Sequence, residues 1–360
     1  MKEKDIESRI QSSFERLVQK DKSIKNAYLL VNSEKYEINL QIAEGTTGAG
    51  EADIQQPNYL ASVGKLFTAT IIGMLYEKGK LDFNDSIGKY LDAKIINRLH
   101  IYKGNDYSTS ITIRHLLMQT SGLYDVFYHL LDKMIKDPEF TITPREAIIW
   151  GKKNLTPVGM PGKKHSYTDT NYHLLGLIIE NITGTAFHEI LHEFIFDRVG
   201  MQHAHMHGFS QPRFETGHPT AQAFIKGQDI LSIDGYHQID YAGGGVVAPL
   251  SEYLLFMKAL VNHVIIKRET LGRMLSDEIA MGFPLISFNY GYSLWKLKSI
   301  PFLIPEAYRC WGCAGATGAF MFHHPATKSY IIGTFNDFSY RGKALQFMAK
   351  SVIKQLVRSS

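Results

Sequence analysis

The octapeptide Leu60-Ala61-Ser62-Val63-Gly64-Lys65-Leu66-Phe67 opens an apolar run and places a lysine three residues after a serine. In a helix that begins near Leu60, positions i and i+3 share one face, so the Lys65 ammonium would lie within reach of the Ser62 hydroxyl. A neighbouring base makes a serine hydroxyl nucleophilic, and burial favours the neutral, basic form of a lysine. The alternative is a serine that caps the helix beside a solvated lysine. The pattern predicts a serine acyl-transfer enzyme.

A second candidate segment runs from Pro161 to Gly176 and places Tyr167 on a turn before an apolar helix. A tyrosine there could point its hydroxyl at Ser62. Two nearby lysines would stabilise its phenolate, which would suit it to move a proton between nucleophile and leaving group. The alternative is a tyrosine packed under the start of the helix.

A third segment, Trp311-Gly312-Cys313-Ala314-Gly315-Ala316-Thr317-Gly318, is rich in glycine. The three segments stand in the order found in penicillin-recognising serine enzymes. The chain resembles the class C β-lactamase and DD-peptidase-like serine hydrolases, a family that also includes esterases and D-amino-acid peptidases. The likeness extends over about residues 25 to 340. It also covers Leu81-Asp82-Phe83-Asn84-Asp85, Ile111 to Leu123, Ala242-Gly243-Gly244-Gly245 and Gly333-Thr334-Phe335-Asn336.

The resemblance assigns roles to the first two segments. It makes Ser62 the acylated nucleophile, Lys65 its activating partner, and Tyr167 the general base and acid. Asp169 stands where the family usually has asparagine. A carboxylate only accepts hydrogen bonds, so Asp169 differs from asparagine in how it can contact a substrate amide.

In the third segment, the family's Lys or His, then Thr or Ser, then Gly falls on Cys313-Ala314-Gly315. The resemblance places the oxyanion hole at the backbone N–H groups of Ser62 and Ala316. A thiol and a methyl group do not replace the cation and hydroxyl that hold a substrate carboxylate. We therefore expect poor turnover of classical β-lactams and better turnover of neutral esters or amides. The alternative register, Ala316-Thr317-Gly318, restores the hydroxyl but not the cation.

The order of strand-like and helix-like runs predicts an α/β (α+β) fold of the β-lactamase type. Alternating apolar residues at 27–31 and 36–40 indicate an antiparallel hairpin, and strand-like runs return at 290–297, 318–323 and 330–335. An antiparallel sheet from the N- and C-terminal segments would thus be flanked by helices. We predict an N-terminal surface helix over residues 1–24, an α/β part over 25–80 and 236–360, and an inserted, mainly helical subdomain over 81–235.

Composition narrows the function classes. The 360 residues carry a net charge of only +4 and lack a cluster of basic and aromatic residues, which argues against nucleic acid as a partner. No apolar stretch is long enough to predict a membrane span. The first 22 residues alternate acids and bases without an apolar signal region, so the sequence predicts a cytoplasmic protein. The expected partner is a small-molecule ester, amide or peptide-like substrate.

Two motifs compete with this interpretation. Cys310 and Cys313 have the CxxC spacing, but a strand would point them to opposite faces, which disfavours a disulfide or a metal site. His188-Glu189-Ile190-Leu191-His192 matches the HExxH pattern of zinc peptidases, with Glu215 as the candidate third ligand downstream. The leading hypothesis is a serine hydrolase with neither metal nor cofactor. The alternatives are a catalytically impaired binder of peptide-like ligands and a zinc peptidase.

Overall fold

The computed structural model describes residues 2–48, 50–137 and 139–358. Its main sheet has nine antiparallel strands in the order β11-β12-β13-β14-β15-β16-β1-β2-β3. The strands are β1 (Asn26–Ser33), β2 (Ile38–Thr47), β3 (Gly50–Glu51), β4 (Asn58–Tyr59), β5 (Ile101–Tyr102), β6 (Asn105–Asp106), β7 (His205–Met206), β8 (Phe224–Ile225), β9 (Gln228–Asp229), β10 (Val246–Ala248), β11 (Ile279–Ala280), β12 (Phe288–Tyr290), β13 (Trp295–Leu297), β14 (Cys310–Gly315), β15 (Ala319–His324) and β16 (Ser329–Thr334).

Helices cover both faces of this sheet. They are α1 (Lys2–Lys20), α2 (Gly64–Glu77), α3 (Ala93–Ile96), α4 (Ile113–Leu117), α5 (Phe127–Lys136), α6 (Pro144–Asn154), α7 (Thr170–Thr183), α8 (Phe187–Leu191), α9 (Asp197–Val199), α10 (Tyr236–Gly244), α11 (Leu250–Val261), α12 (Arg268–Ser276), α13 (Arg341–Phe347) and α14 (Lys354–Arg358). π-Helical turns at His192–Phe196 and Met348–Ile353 join α8 to α9 and α13 to α14.

The alternation of side chains along the central strands divides the apolar residues between two cores. On β15, Met321 belongs to the core on the α2 side, whereas Phe320 and Phe322 belong to the core under α1 and the C-terminal helices. Successive side chains of a strand point to opposite faces, so a sheet covered on both sides needs apolar residues at every position. All six residues of β15 are accordingly buried.

The predicted fold class is confirmed. Strands from both ends of the chain form the sheet, with β1 between β16 and β2, and the segment 81–235 is mainly helical. The division at residues 81 and 235 stays a prediction, because a single apolar core includes Leu30 of β1 and Ile179 of α7. α1 lies over the other core through Ile6, Ile10 and Phe14.

The strand-like run predicted at 318–323 corresponds to β15, and a turn at Ala316–Gly318 separates β15 from β14. At the start of α8, the carboxylate of Glu180 accepts the N–H of Phe187 at 2.9 Å. A side chain of the preceding helix thus satisfies one of the free N–H groups at this helix start.

Among the described residues, no single helix is long and apolar enough to cross a bilayer. The pair Thr170–Thr183 and Phe187–Val199 reaches that length and composition only together, and the two parts are bent by 81°.

Candidate active site

Ser62 lies in a single 3₁₀ turn, Ala61–Val63, and α2 begins only at Gly64. The predicted helix start near Leu60 is therefore too early. Ala61 has a φ of 48°, a left-handed conformation that is unfavourable for a residue with a Cβ atom. The nucleophile candidate still meets its predicted partner, since Lys65 Nζ lies 3.0 Å from Ser62 Oγ.

The glycine segment of α10 supports Lys65 from behind. The Gly243 carbonyl accepts a hydrogen bond from Lys65 Nζ at 2.8 Å. A Cβ atom on Gly64 would lie 2.8 Å from the backbone of Gly244, so the contact between α2 and α10 requires glycine inside the Ser-x-x-Lys motif. The motif and the distant Gly243-Gly244 pair therefore form one packed unit.

Lys65 is fully buried and forms an ion pair with Asp169, the first residue before α7. Burial by itself lowers the pKa of the Lys65 ammonium, but Asp169, with smaller contributions from Asp240 and Tyr172, outweighs burial, and the pKa is raised above its ordinary value. The prediction that burial leaves Lys65 neutral is therefore wrong, because buried acids face the ammonium. In the resting site Lys65 is a cation that faces Ser62.

Tyr167 reaches the same hydroxyl from the turn before α7. Burial raises the pKa of Tyr167 well above its ordinary value, the charge of Asp169 raises it further, and only a hydrogen bond with Ser62 lowers it. Lys65 Nζ lies 5.2 Å from the centre of the Tyr167 ring. The predicted phenolate is thus wrong for the resting site. Lys163 and Lys164 are exposed, and the nearer charge is the carboxylate of Asp169.

The third segment forms β14 and the turn that follows it. Ala314, Gly315, Ala316 and Thr317 line the same cavity as Ser62. A Cβ atom on Gly315 would lie 2.2 Å from the Leu60 carbonyl, so glycine lets β14 pack against the turn of the nucleophile. Ala316 and Ser62, whose N–H groups the resemblance assigns to the oxyanion hole, therefore line the same cavity.

Cys313 takes a different place from the one predicted. The residue is 1% exposed, and its thiol donates a hydrogen bond to the Ser62 carbonyl at 3.2 Å. Burial raises the pKa of this thiol to about 12. Cys313 therefore positions the nucleophile from behind and is not placed to contact a substrate. Cys310 belongs to the opposite core, so β14 points the two cysteines to opposite faces of the sheet, as predicted, and both are free.

The sequence analysis missed a buried acid in the cavity wall, Asp240. Tyr59 donates a hydrogen bond to Asp240 at 2.8 Å, and the hydroxyls of Tyr59 and Tyr236 lie 2.7 Å apart. Burial raises the pKa of Asp240 to about 7, although Lys65 lowers it. Asp240 directly precedes Tyr241-Ala242-Gly243-Gly244. An acid next to this glycine segment is the sequence feature that could have identified Asp240 as a site residue. Thr317 was weighed only in the alternative register, and its buried hydroxyl has no partner among the described residues.

The raised pKa of Asp240 gives a prediction about stability. Between the ordinary pKa of 3.8 and about 7, the folded protein keeps a proton that the unfolded chain has released, so stability falls as pH rises. Asp240→Asn retains an acceptor for the Tyr59 hydroxyl but cannot titrate. We expect it to abolish the decrease in the free energy of unfolding with rising pH, which is on the order of a few kcal/mol in the wild type. Thermal unfolding at pH 5 and pH 8 measures it. The exposed Asp82→Asn is the control. Equal pH dependence of Asp240→Asn and the wild type would contradict the assignment.

The HExxH residues lie apart from this cavity. His188 stacks on Phe209, and His192, 7% exposed, is 3.1 Å from the Ser210 hydroxyl. Glu215, the candidate third ligand, acts electrostatically on His205. Within residues 2–48, 50–137 and 139–358, no three His, Cys, Asp or Glu side chains are grouped so as to hold a metal ion.

Comparison with known proteins gives a family for the chain. The sequence model of the family described as Beta-lactamase matches residues 48–351. A putative penicillin-binding protein, PbpX of Bacillus subtilis (strain 168), is 26% identical over 245 residues, which is 64% of this chain and 54% of PbpX. The match therefore spans about half the length of that curated relative.

Solved structures share the fold at low identity. The D-amino acid amidase of Ochrobactrum anthropi SV3, complexed with D-phenylalanine, superposes with a TM-score of 0.80 at 19% identity, over 99% of this chain and 100% of the amidase. EstCE1, described as a hydrolase with promiscuous acyltransferase activity, gives a TM-score of 0.77 at 16% identity, over 99% of both chains. At these identities the likeness shows the fold alone.

Proposed function

Because the chain belongs to the Beta-lactamase family, we propose that it is a serine hydrolase that forms an acyl-enzyme at Ser62 on an ester or amide. One observation carries this proposal. Lys65, fully buried, lies 3.0 Å from the Ser62 hydroxyl and is held there by Asp169 and the Gly243 carbonyl. A nucleophile within hydrogen-bond reach of a partner that a third group orients is the arrangement that acyl transfer needs.

The proton of Ser62 needs an acceptor, because Lys65 is charged and Tyr167 is a neutral phenol at rest. We assign this role to the neutral form of Lys65: after Lys65 has released its own proton to water, Nζ accepts the proton of Ser62 as Oγ attacks the carbonyl carbon. Asp169 and the Gly243 carbonyl hold Nζ in place for this step.

Tyr167 serves the leaving group and the second half of the reaction. Its neutral hydroxyl donates a proton to the departing alkoxide or amine, and the resulting phenolate accepts a proton from the water that attacks the acyl-enzyme. The N–H groups of Ser62 and Ala316 stabilise the oxyanion in both steps. The water-derived product is a carboxylic acid, and Ser62 recovers its proton from Lys65.

The charges around Ser62 favour substrates without a carboxylate next to the scissile bond. The buried Asp169 and the partly ionised Asp240 face one lysine, and Cys313 and Ala314 supply neither a cation nor a hydroxyl. An anionic substrate would be repelled, because an unpaired charge in a site of low dielectric is costly. Neutral esters and amides, including D-amino-acid derivatives, therefore fit the proposal better than penicillins do.

Covalent labelling tests the proposal. A fluorophosphonate should add one phosphonyl group to the intact chain at Ser62, detected by intact-mass measurement and peptide mapping, because the reagent reports an activated serine. An impaired binder would show no adduct. A zinc peptidase would show no adduct and would lose its activity to a chelator. Either result would reject the serine hydrolase.

A further inference from the structure

The cavity at Ser62 is much larger than a small ester needs. Its volume is about 670 Å³. Sites that enclose a drug-sized ligand measure about 300–1,000 Å³, so an acetyl group would leave most of this space empty. The shape of the remaining space therefore carries information about the substrate.

The sheet and the C-terminal helices together supply one apolar part of the cavity lining. Phe288 of β12 and Leu297 of β13 belong to the sheet wall, and Leu345 and Ala349 belong to the helix wall. We call the part of the cavity that these residues line the apolar lobe. Of the described charged residues that line the cavity, Asp169 and Asp240 act on Lys65, whereas Arg341 and Lys350 are exposed residues of the C-terminal helices.

Two loops that border the apolar lobe extend its apolar surface to solvent. The loop between β11 and β12 exposes 92% of Phe283, and the loop between β13 and β14 exposes 75% of Leu303 and all of Phe302. Pro284, Leu285 and Ile304 of the same loops line the cavity. Large exposed apolar side chains beside a cavity are typical of a surface that contacts an apolar ligand.

We propose that the apolar lobe binds the aliphatic chain of the acyl group, so that the preferred substrates are esters or amides of medium- to long-chain fatty acids. This inference rests on the proposed function. The acyl group stays on Ser62 through both steps, whereas the alcohol or amine departs after the first, so only an acyl chain can use this apolar lining in both steps. Ser62 Oγ bonds to the fatty acyl carbon, the alcohol or amine leaves with a proton, and water releases the fatty acid.

A chain-length series tests the proposal. We expect kcat/KM for 4-nitrophenyl esters to rise from acetate to octanoate by at least 100-fold, since moving one methylene group from water into an apolar site is worth roughly a factor of 4. Acetate esters of long-chain alcohols form the opposite arm. They should gain little, because their chain lies on the leaving-group side. A gain confined to long alcohols, or no gain in either arm, would overturn the proposal.

Variants of the lobe give a second measurement. Ala349→Trp fills the helix wall, and Leu303→Asp places a charge at the exposed rim, where it does not endanger folding. Each should lower the octanoate-to-acetate ratio of kcat/KM at least tenfold. The matched control is Ala93→Trp on the exposed surface of α3, which should leave the ratio unchanged.

The outcomes separate the two proposals. Ser62-dependent turnover of acetate without any preference for longer acyl chains would overturn the acyl-chain assignment and leave the serine hydrolase in place. A ratio unaffected by both lobe variants would also overturn it. Absence of Ser62-dependent turnover on every ester would overturn both.

Discussion

Ser62→Ala is expected to reduce the hydrolysis of 4-nitrophenyl acetate to the background rate while the fold is retained. Only the nucleophile is lost, and the N–H of residue 62 remains in place. Release of 4-nitrophenol measures the rate, and thermal unfolding measures the fold. The exposed Ser276→Ala is the control and should keep full activity.

Retained turnover in Ser62→Ala would show that another group attacks the substrate. If Ser62→Ala unfolds like the wild type and hydrolyses 4-nitrophenyl acetate at an unchanged rate, Ser62 is not the nucleophile. Loss of rate in the Ser276→Ala control would instead point to a general effect of substitution.

Lys65→Ala and Tyr167→Phe should each lower kcat/KM by roughly 100-fold or more, as expected of groups that move protons in the transition state. Lys65→Ala also leaves Asp169 without its buried partner, and breaking such a pair costs about 3–5 kcal/mol. Thermal unfolding must therefore accompany the kinetics. Tyr167→Phe removes a single hydroxyl and provides a measurement that does not depend on folding. A loss below tenfold at both positions would reject the proposed proton path.

Asp169→Asn separates charge from geometry at this pair. The amide occupies the same space but no longer raises the pKa of Lys65, so the neutral lysine forms at lower pH. The acidic limb of the kcat/KM profile should therefore move to lower pH. An unmoved acidic limb would mean that Lys65 does not titrate in the rate-limiting step.

The family and the fold were predictable because they depend on local patterns and on their order. Spacing alone places Ser62 beside Lys65. The glycine segment at 242–245 packs against α2 so closely that a Cβ atom would not fit between the two backbones. Alternating apolar residues identified the hairpin of β1 and β2. The catalytic assignments remain predictions, although the structure brings Ser62, Lys65 and Tyr167 together.

The charges of the site were not predictable from the sequence. Lys65 is cationic because Asp169, 104 positions away, lies against it, and Tyr167 is neutral because it is buried and because the charge of Asp169 adds to the effect of burial. The place of Cys313 behind Ser62 depends on how β14 meets the nucleophile turn. Such contacts join residues far apart in the chain, and periodicity contains no information about them.

The order of strands in the sheet determines when the proposed active site can form during synthesis. β1 is paired on one side with β16, so β1 cannot complete its pairing until β16 has been synthesised. Ala316, the proposed second oxyanion donor, is synthesised more than 250 residues after Ser62. At about 5–20 residues per second, many seconds pass between the synthesis of the proposed nucleophile and that of Ala316. The proposed catalysis can therefore begin only after β14 has folded against the turn that holds Ser62.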